Sequence, residues 1–186
     1  MLKRILWILG ILLIVLAIGV GYLALTTKSH SPEDIAQVTL GDFHGEVQYC
    51  QPYKKDRRIF GTEAEGALVP YGEVWRTGAN EATEIEFSEA VTIHGARIEK
   101  GRYSLYTIPD EDSWTVAFNS KLDYWGTGVS NPYEESQDVL RAPAAVSYLD
   151  STAEQFYIRW APQNDSLVHL QFFWDRTLAE LPIMLD

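Results

Sequence analysis

Phe156-Tyr157-Ile158-Arg159-Trp160 and Val168-His169-Leu170-Gln171-Phe172-Phe173-Trp174 decide the fold class, because their apolar residues recur every second position. Phe156, Ile158 and Trp160 fall on one face of an extended chain, and Val168, Leu170, Phe172 and Trp174 on one face of the next. Asn164-Asp165-Ser166 between them has the composition of a hairpin turn. It is also a formal glycosylation sequon, which matters only in a eukaryotic secretory pathway.

The same period extends outward. Tyr103–Ile108 and Trp114–Phe118 form a second pair, joined by Pro109-Asp110-Glu111-Asp112-Ser113. Gln37–Leu40, Glu46–Cys50, Thr83–Phe87, Ala90–His94, Ala144–Leu149 and Leu178–Ile183 are further strand candidates. Tyr71-Gly72, Thr77-Gly78, His94-Gly95 and Lys100-Gly101 punctuate them. Short strands with frequent turns predict a mainly β fold, an antiparallel β-sandwich or jelly-roll-like domain. Asn131–Leu140, with Pro132 near its start, is the single helical candidate in this part of the chain.

The front of the chain follows another rule. Ile5–Leu25 reads ILWILGILLIVLAIGVGYLAL without a charge. As a helix it would span about 31 Å, enough to cross the hydrocarbon core of a bilayer. Lys3 and Arg4 precede it, which places residues 1–4 in the cytoplasm and the rest outside. The expected organisation is a transmembrane anchor at 5–25, a linker at 26–36 and an extracytoplasmic domain at 37–186. A cleaved secretory signal is the alternative, with Gly19 and Gly21 as small residues for cleavage. Gly19-Val20-Gly21-Tyr22-Leu23-Ala24 matches a dinucleotide-binding pattern only formally, since no strand precedes it.

All 26 acidic residues lie beyond Lys28, against 12 basic ones, so this part carries a net charge of −14. Such a surface repels polyanions, which excludes nucleic acid and argues against anionic lipid headgroups as general partners. Cys50 is the only cysteine, so an intramolecular disulfide is excluded. It could still pair between two chains outside the cytoplasm, but a small buried residue on a strand is the favoured reading.

No phosphate loop, nucleophile elbow, HExxH motif or cofactor motif occurs. His44 and Glu46 share one strand face, yet two residues make ordinary strand polarity the better reading, and no metal site is expected. Asp110, Glu111 and Asp112 lack the ligand pattern of a calcium loop and read as a solvated hairpin tip. Lys54-Lys55-Asp56-Arg57-Arg58 is a basic island in an acidic domain: a charged connecting loop, or a grip for phosphate or carboxylate.

Chemistry is densest in Val74-Trp75-Arg76-Thr77-Gly78-Ala79-Asn80-Glu81-Ala82-Thr83. Trp75, Arg76, Asn80 and Glu81 combine a ring with donors and acceptors beside a glycine turn, the equipment for holding a sugar or carboxylate ligand. Trp125 is a candidate neighbour. The competing reading is an internal network in which Arg76 and Asn80 satisfy buried carbonyls.

Leu68–Thr83, Gly101–Pro109 and Trp114–Asn119, with Trp125-Gly126, Asp138–Arg141 and Arg57–Gly61, resemble the bacterial family catalogued as domain of unknown function 2911. The resemblance covers nearly the whole soluble part, although Lys55-Asp56-Arg57 stands where family members carry Lys-Gly-Arg. It implies an exported protein with a signal or anchor, and it supplies no established activity, substrate or catalytic residue. The leading expectation is therefore a membrane-anchored, non-catalytic binding module with a glycan or protein partner in the cell envelope. The alternatives are a carboxylate-dependent hydrolase of envelope carbohydrate and a structural partner in an assembly.

Overall fold

The computed structural model describes residues 2–122 and 134–185. A helix, α1 (Leu2–His30), leads directly into the sheet. The strands follow as β1 (Glu33–Leu40), β2 (Phe43–Cys50), β3 (Phe60–Gly61), β4 (Val69–Pro70), β5 (Thr83–Phe87) and β6 (Val91–Ile93). After them come β7 (Ala96–Ile98), β8 (Gly101–Ile108), β9 (Ser113–Asn119), β10 (Asp138–Asn164) and β11 (Leu167–Leu185). Nine of these form one antiparallel sheet in the order β1-β2-β5-β8-β9-β10-β11-β6-β7, and β3 pairs with β4 in parallel. The mainly β, antiparallel expectation holds.

The hairpin predicted around Asn164 is present. Asn164 pairs with Leu167, and its Oδ1 accepts from the Ser166 backbone N–H at 3.0 Å. Ile158 faces Phe172 and Trp160 faces Leu170, all four buried, so the period-two face is a core face. The chain departs from expectation in the length of these strands. Ala144–Leu149 and Phe156–Trp160 belong to one strand, β10, of 27 residues, and Val168–Trp174 and Leu178–Ile183 to β11, of 19. Register shifts between Tyr148 and Tyr157, opposite Asp175 at φ +54°, take up the bend that a loop was expected to make.

That bend closes the core. Up to Ala145, β10 pairs with β9; beyond Tyr157 its inner side chains meet β1 and β2. The Trp160 indole N–H donates to the Ala36 carbonyl at 3.2 Å, and the Ile158 N–H donates to the Tyr49 hydroxyl at 3.0 Å. Gly45 is required here, since a Cβ would lie 2.9 Å from the Trp160 ring.

Two boundaries are corrected. Residues 26–36, expected as a linker, are divided between α1, which continues to His30, and β1, which starts at Glu33. The expected helix at Asn131–Leu140 is not formed where it is described. Residues 131–133 lie outside the described residues, Glu135–Gln137 make one 3₁₀ turn, and Asp138 opens β10. The Asp138 carboxylate accepts from the Tyr106 hydroxyl at 2.5 Å, Asn119 Nδ2 at 2.8 Å and Arg141 Nε at 2.7 Å. These tertiary bonds hold the segment extended against its local helical pattern.

Among the described residues no helix is long and apolar enough to cross a membrane. Leu9, Ile11 to Leu16 and Ile18 are all exposed in the isolated chain, and Trp7 is 75% exposed.

Candidate functional site

Trp75 does not offer its ring to solvent. It is 8% exposed and stacks on Trp174 at 5.7 Å, with Phe156, Phe60 and Trp114 edge-on at 4.9, 5.8 and 5.9 Å. Its indole N–H donates to the Gly78 carbonyl at 3.1 Å. The backbone of Trp75 exchanges two hydrogen bonds of 2.8 Å with Thr107 of β8, which pins the loop against the sheet.

The residues that follow form a coil held from within. Thr77 is fully buried at φ +57°, and its hydroxyl donates to Thr107 Oγ1 at 3.1 Å. Thr83 Oγ1 donates to the Thr77 carbonyl at 2.9 Å. Arg76 is half-buried and donates from Nη1 to the Asn80 carbonyl at 2.7 Å. Burial lowers its pKa from the ordinary guanidinium value, while neighbouring Cys50 opposes the shift. Asn80 is 7% exposed at φ +61°, and its Nδ2 donates to the Ser31 carbonyl at 3.3 Å, tying the loop to the end of α1. Glu81 accepts from the Cys50 thiol at 3.5 Å. Cys50 is buried as expected, and burial pushes its pKa up, the reverse of what a nucleophilic thiolate needs.

Gly78 sits where the loop touches β2. A Cβ there would meet the Cys50 carbonyl oxygen at 2.9 Å and Thr83 Oγ1 at 3.1 Å. Neither the backbone nor the bonded threonine can easily give way. Gly78→Ala should therefore cost about 1–3 kcal/mol, the usual range for overpacking a core, measured as a lower denaturation midpoint at unchanged slope.

The basic island folds onto the other side of the same loop. Phe156 N–H donates to the Pro52 carbonyl at 3.0 Å, and Lys54 N–H to the Glu154 carbonyl at 2.6 Å, so β10 carries the segment. Lys54 pairs with Asp175 at 3.4 Å and Arg58 with Glu65 at 2.8 Å. Lys55 takes the left-handed conformation, φ +52°, so the unusual backbone lies one residue before Asp56. Arg57 donates from Nε to the Lys54 carbonyl at 3.1 Å and from Nη2 to the Tyr53 carbonyl.

Between the two segments lies a cavity of about 510 Å³. Its lining comes from the end of α1 (His30, Ser31), the basic loop (Pro52, Tyr53, Lys55, Arg57), Leu68, Val69 and Pro70, the loop Glu73–Arg76 with Gly78–Asn80, and Trp174. That volume is in the range of small-molecule sites, which are mostly apolar with a few placed polar groups. Three cationic side chains, Lys55, Arg57 and Arg76, share the lining with one carboxylate, Glu73, in a domain of net charge −14.

Of the expected site residues, Trp75, Arg76 and Asn80 line this cavity; Glu81 is not on its lining, and Trp125 lies outside the described residues. The contributions of Tyr53, Glu73, Trp174 and His30 went unforeseen, and Lys55 and Arg57 belong to the island read as a charged loop or an anion grip. The basic island was the one visible signal, but its arrival beside Trp75 depends on β10, a hundred residues further on. His44 and Glu46 are occupied across the strand pair, by Thr39 Oγ1 at 3.2 Å and Gln37 Nε2 at 2.6 Å.

A family model described as "Protein of unknown function (DUF2911)" matches residues 31–183. No curated protein and no solved structure matches the chain.

Proposed function

We propose, on the premise that the chain belongs to the DUF2911 family of proteins of unknown function, that it is a non-catalytic binding module tethered to a membrane. The cavity between the basic loop and the Trp75–Asn80 loop carries this reading. A sheet folded over itself in sandwich fashion supports walls assembled from distant segments, and concave sites of mixed apolar and polar lining serve small ligands. The ligand class is a glycan or other envelope component bearing an acidic group, since Lys55, Arg57 and Arg76 are among the lining residues. A carboxylate-pair hydrolase needs two facing carboxyls, and the described lining offers only Glu73. That favours binding over hydrolysis.

The tether is α1. The described apolar side chains of α1, Leu9, Ile11 to Leu16 and Ile18, are exposed, and a helix that is apolar all round is normally buried in a core or a bilayer. No charge interrupts Ile5–Leu25, and Lys3 and Arg4 set the cytoplasmic end. Protease added to right-side-out vesicles is expected to remove the β domain and leave the helix; complete protection would contradict the topology. For binding, the full chain in maltoside micelles is expected to gain melting temperature, saturably, with at least one member of a panel of acidic envelope glycans and headgroups. A flat response across the panel would count against the module.

A further inference from the structure

The position of the cavity along the chain narrows its ligand. His30, the last residue of α1, and Ser31 belong to the lining. His30 follows Leu25 by five residues, so the lining begins about 7–8 Å past the apolar run at the helical rise. Headgroup layers add roughly 5–8 Å on each side of a hydrocarbon core of about 30 Å. With Ile5–Leu25 in the bilayer, the His30 end of the cavity lies at the outer edge of the headgroup layer.

Its charges are suited to what is found there. Arg57 bonds only to the carbonyls of Tyr53 and Lys54, which orient the guanidinium without neutralising it, and no carboxylate among the described residues pairs with it. The Lys55 ammonium likewise has no ion partner among the described residues. Arg76 also lines the cavity, held by the Asn80 carbonyl. The Arg57 guanidinium and the Lys55 ammonium suit the oxygens of a phosphate. Glu73, exposed and without an ion partner among the described residues, disfavours a bare polyanion and suits a cation beside that phosphate. The domain's −14 charge works in the same direction. It opposes a strongly anionic bilayer at long range, whereas the cavity's cations act within a screening length of about 8 Å. A headgroup of zero net charge satisfies both conditions.

We infer that the cavity binds a phosphodiester adjoining an ammonium group, the chemistry of a phosphoethanolamine headgroup, presented by the bilayer in which α1 sits. This rests on the binding-module reading and specifies its ligand. Trp75 and Trp174 line the cavity, so their fluorescence should report occupancy.

The test uses the full chain in phosphate-free maltoside micelles, titrated with phosphatidylethanolamine, soluble glycerophosphoethanolamine, inorganic phosphate and diacylglycerol. Phosphatidylethanolamine is expected to give a saturable fluorescence change and a higher melting temperature, with diacylglycerol silent. In Lys55→Gln/Arg57→Gln the lipid midpoint should rise at least tenfold while the ligand-free melting temperature stays near wild type. If Arg57→Gln loosens its loop, Lys55→Gln alone, at an exposed side chain, should still raise the midpoint severalfold. Glu73→Gln should narrow the preference for phosphatidylethanolamine over phosphatidylglycerol.

An unchanged midpoint in the cation variants, or an equal response to diacylglycerol, overturns the inference. Glycerophosphoethanolamine binding as tightly as the lipid would retain the phosphate chemistry and overturn the bilayer as its source. A phosphate-free glycan that binds where no phosphate ester does would refute this ligand and leave the module standing. Silence toward every ligand would remove both.

Discussion

Trp75→Ala should be the most damaging single substitution in the loop, lowering stability by about 3–5 kcal/mol, the usual cost of truncating a large buried aromatic. For a chain of this size that corresponds to a melting temperature lower by roughly 6–20 °C. The effect follows from its surroundings. Trp75 lies within 6 Å of four other aromatic rings, and each ring loses a neighbour when it goes. The indole N–H groups of Trp114 and Trp174 have no hydrogen-bond acceptor among the described residues, and both rings are seated in the same aromatic cluster. Thermal unfolding followed by near-ultraviolet circular dichroism would check this. A variant that melts like wild type would mean that Trp75 is a surface platform after all.

The second large effect is expected at Asn80. Asn80→Ala forces an alanine into the left-handed region at φ +61°, at about 1–2 kcal/mol. It also strands the Ser31 carbonyl, and leaving a buried polar group unmade costs about 1–3 kcal/mol. Asn80→Gly separates the two contributions, because glycine adopts positive φ without strain. Glycine should therefore recover the backbone part and leave the hydrogen-bond part. Denaturant unfolding of both variants beside wild type would measure the difference; equal losses would show that the conformation contributes nothing. Asn80 is thus both a cavity wall and a strut between α1 and the sheet, a combination the side chain's polarity alone did not disclose.

Much of the β framework was legible in the sequence because a half-buried strand shows its inner face at every second residue. Thr83–Phe87 was bounded correctly, and Tyr103–Ile108 and Trp114–Phe118 to within two residues. What escaped were features fixed by distant partners. Ala144–Leu149 and Phe156–Trp160 looked like separate strands because the intervening residues lose the alternation, yet register slips carry the ladder through. Ala96–Ile98 was missed because three residues are too few to show a period. Asp138–Leu140 was misread as helical because Asn119, Tyr106 and Arg141, which hold it extended, lie elsewhere in the sequence.

The candidate site divides along the same line. Trp75, Arg76 and Asn80 were singled out for chemical variety, and they do meet, but largely as mutual supports: indole to the Gly78 carbonyl, guanidinium to the Asn80 carbonyl, amide to the Ser31 carbonyl. Of the groups left to greet a ligand, Lys55 and Arg57 come from an island that read as a charged loop or an anion grip, and Glu73 from a stretch with no signal of its own. A loop's composition identified the scaffold of the cavity, and only the long-range path of β10 brought the cations to it.

The central claim, that this cavity is a binding site at the membrane surface, is tested most directly by hydrogen exchange on the full chain. Exchange should be compared between phosphatidylethanolamine-containing nanodiscs and maltoside micelles. The account predicts slower exchange in nanodiscs confined to residues 52–58 and 73–80, with the hairpin at Asn164–Leu167 unaffected. Equal exchange of those two segments in both environments, or protection spread evenly over the domain, would contradict it.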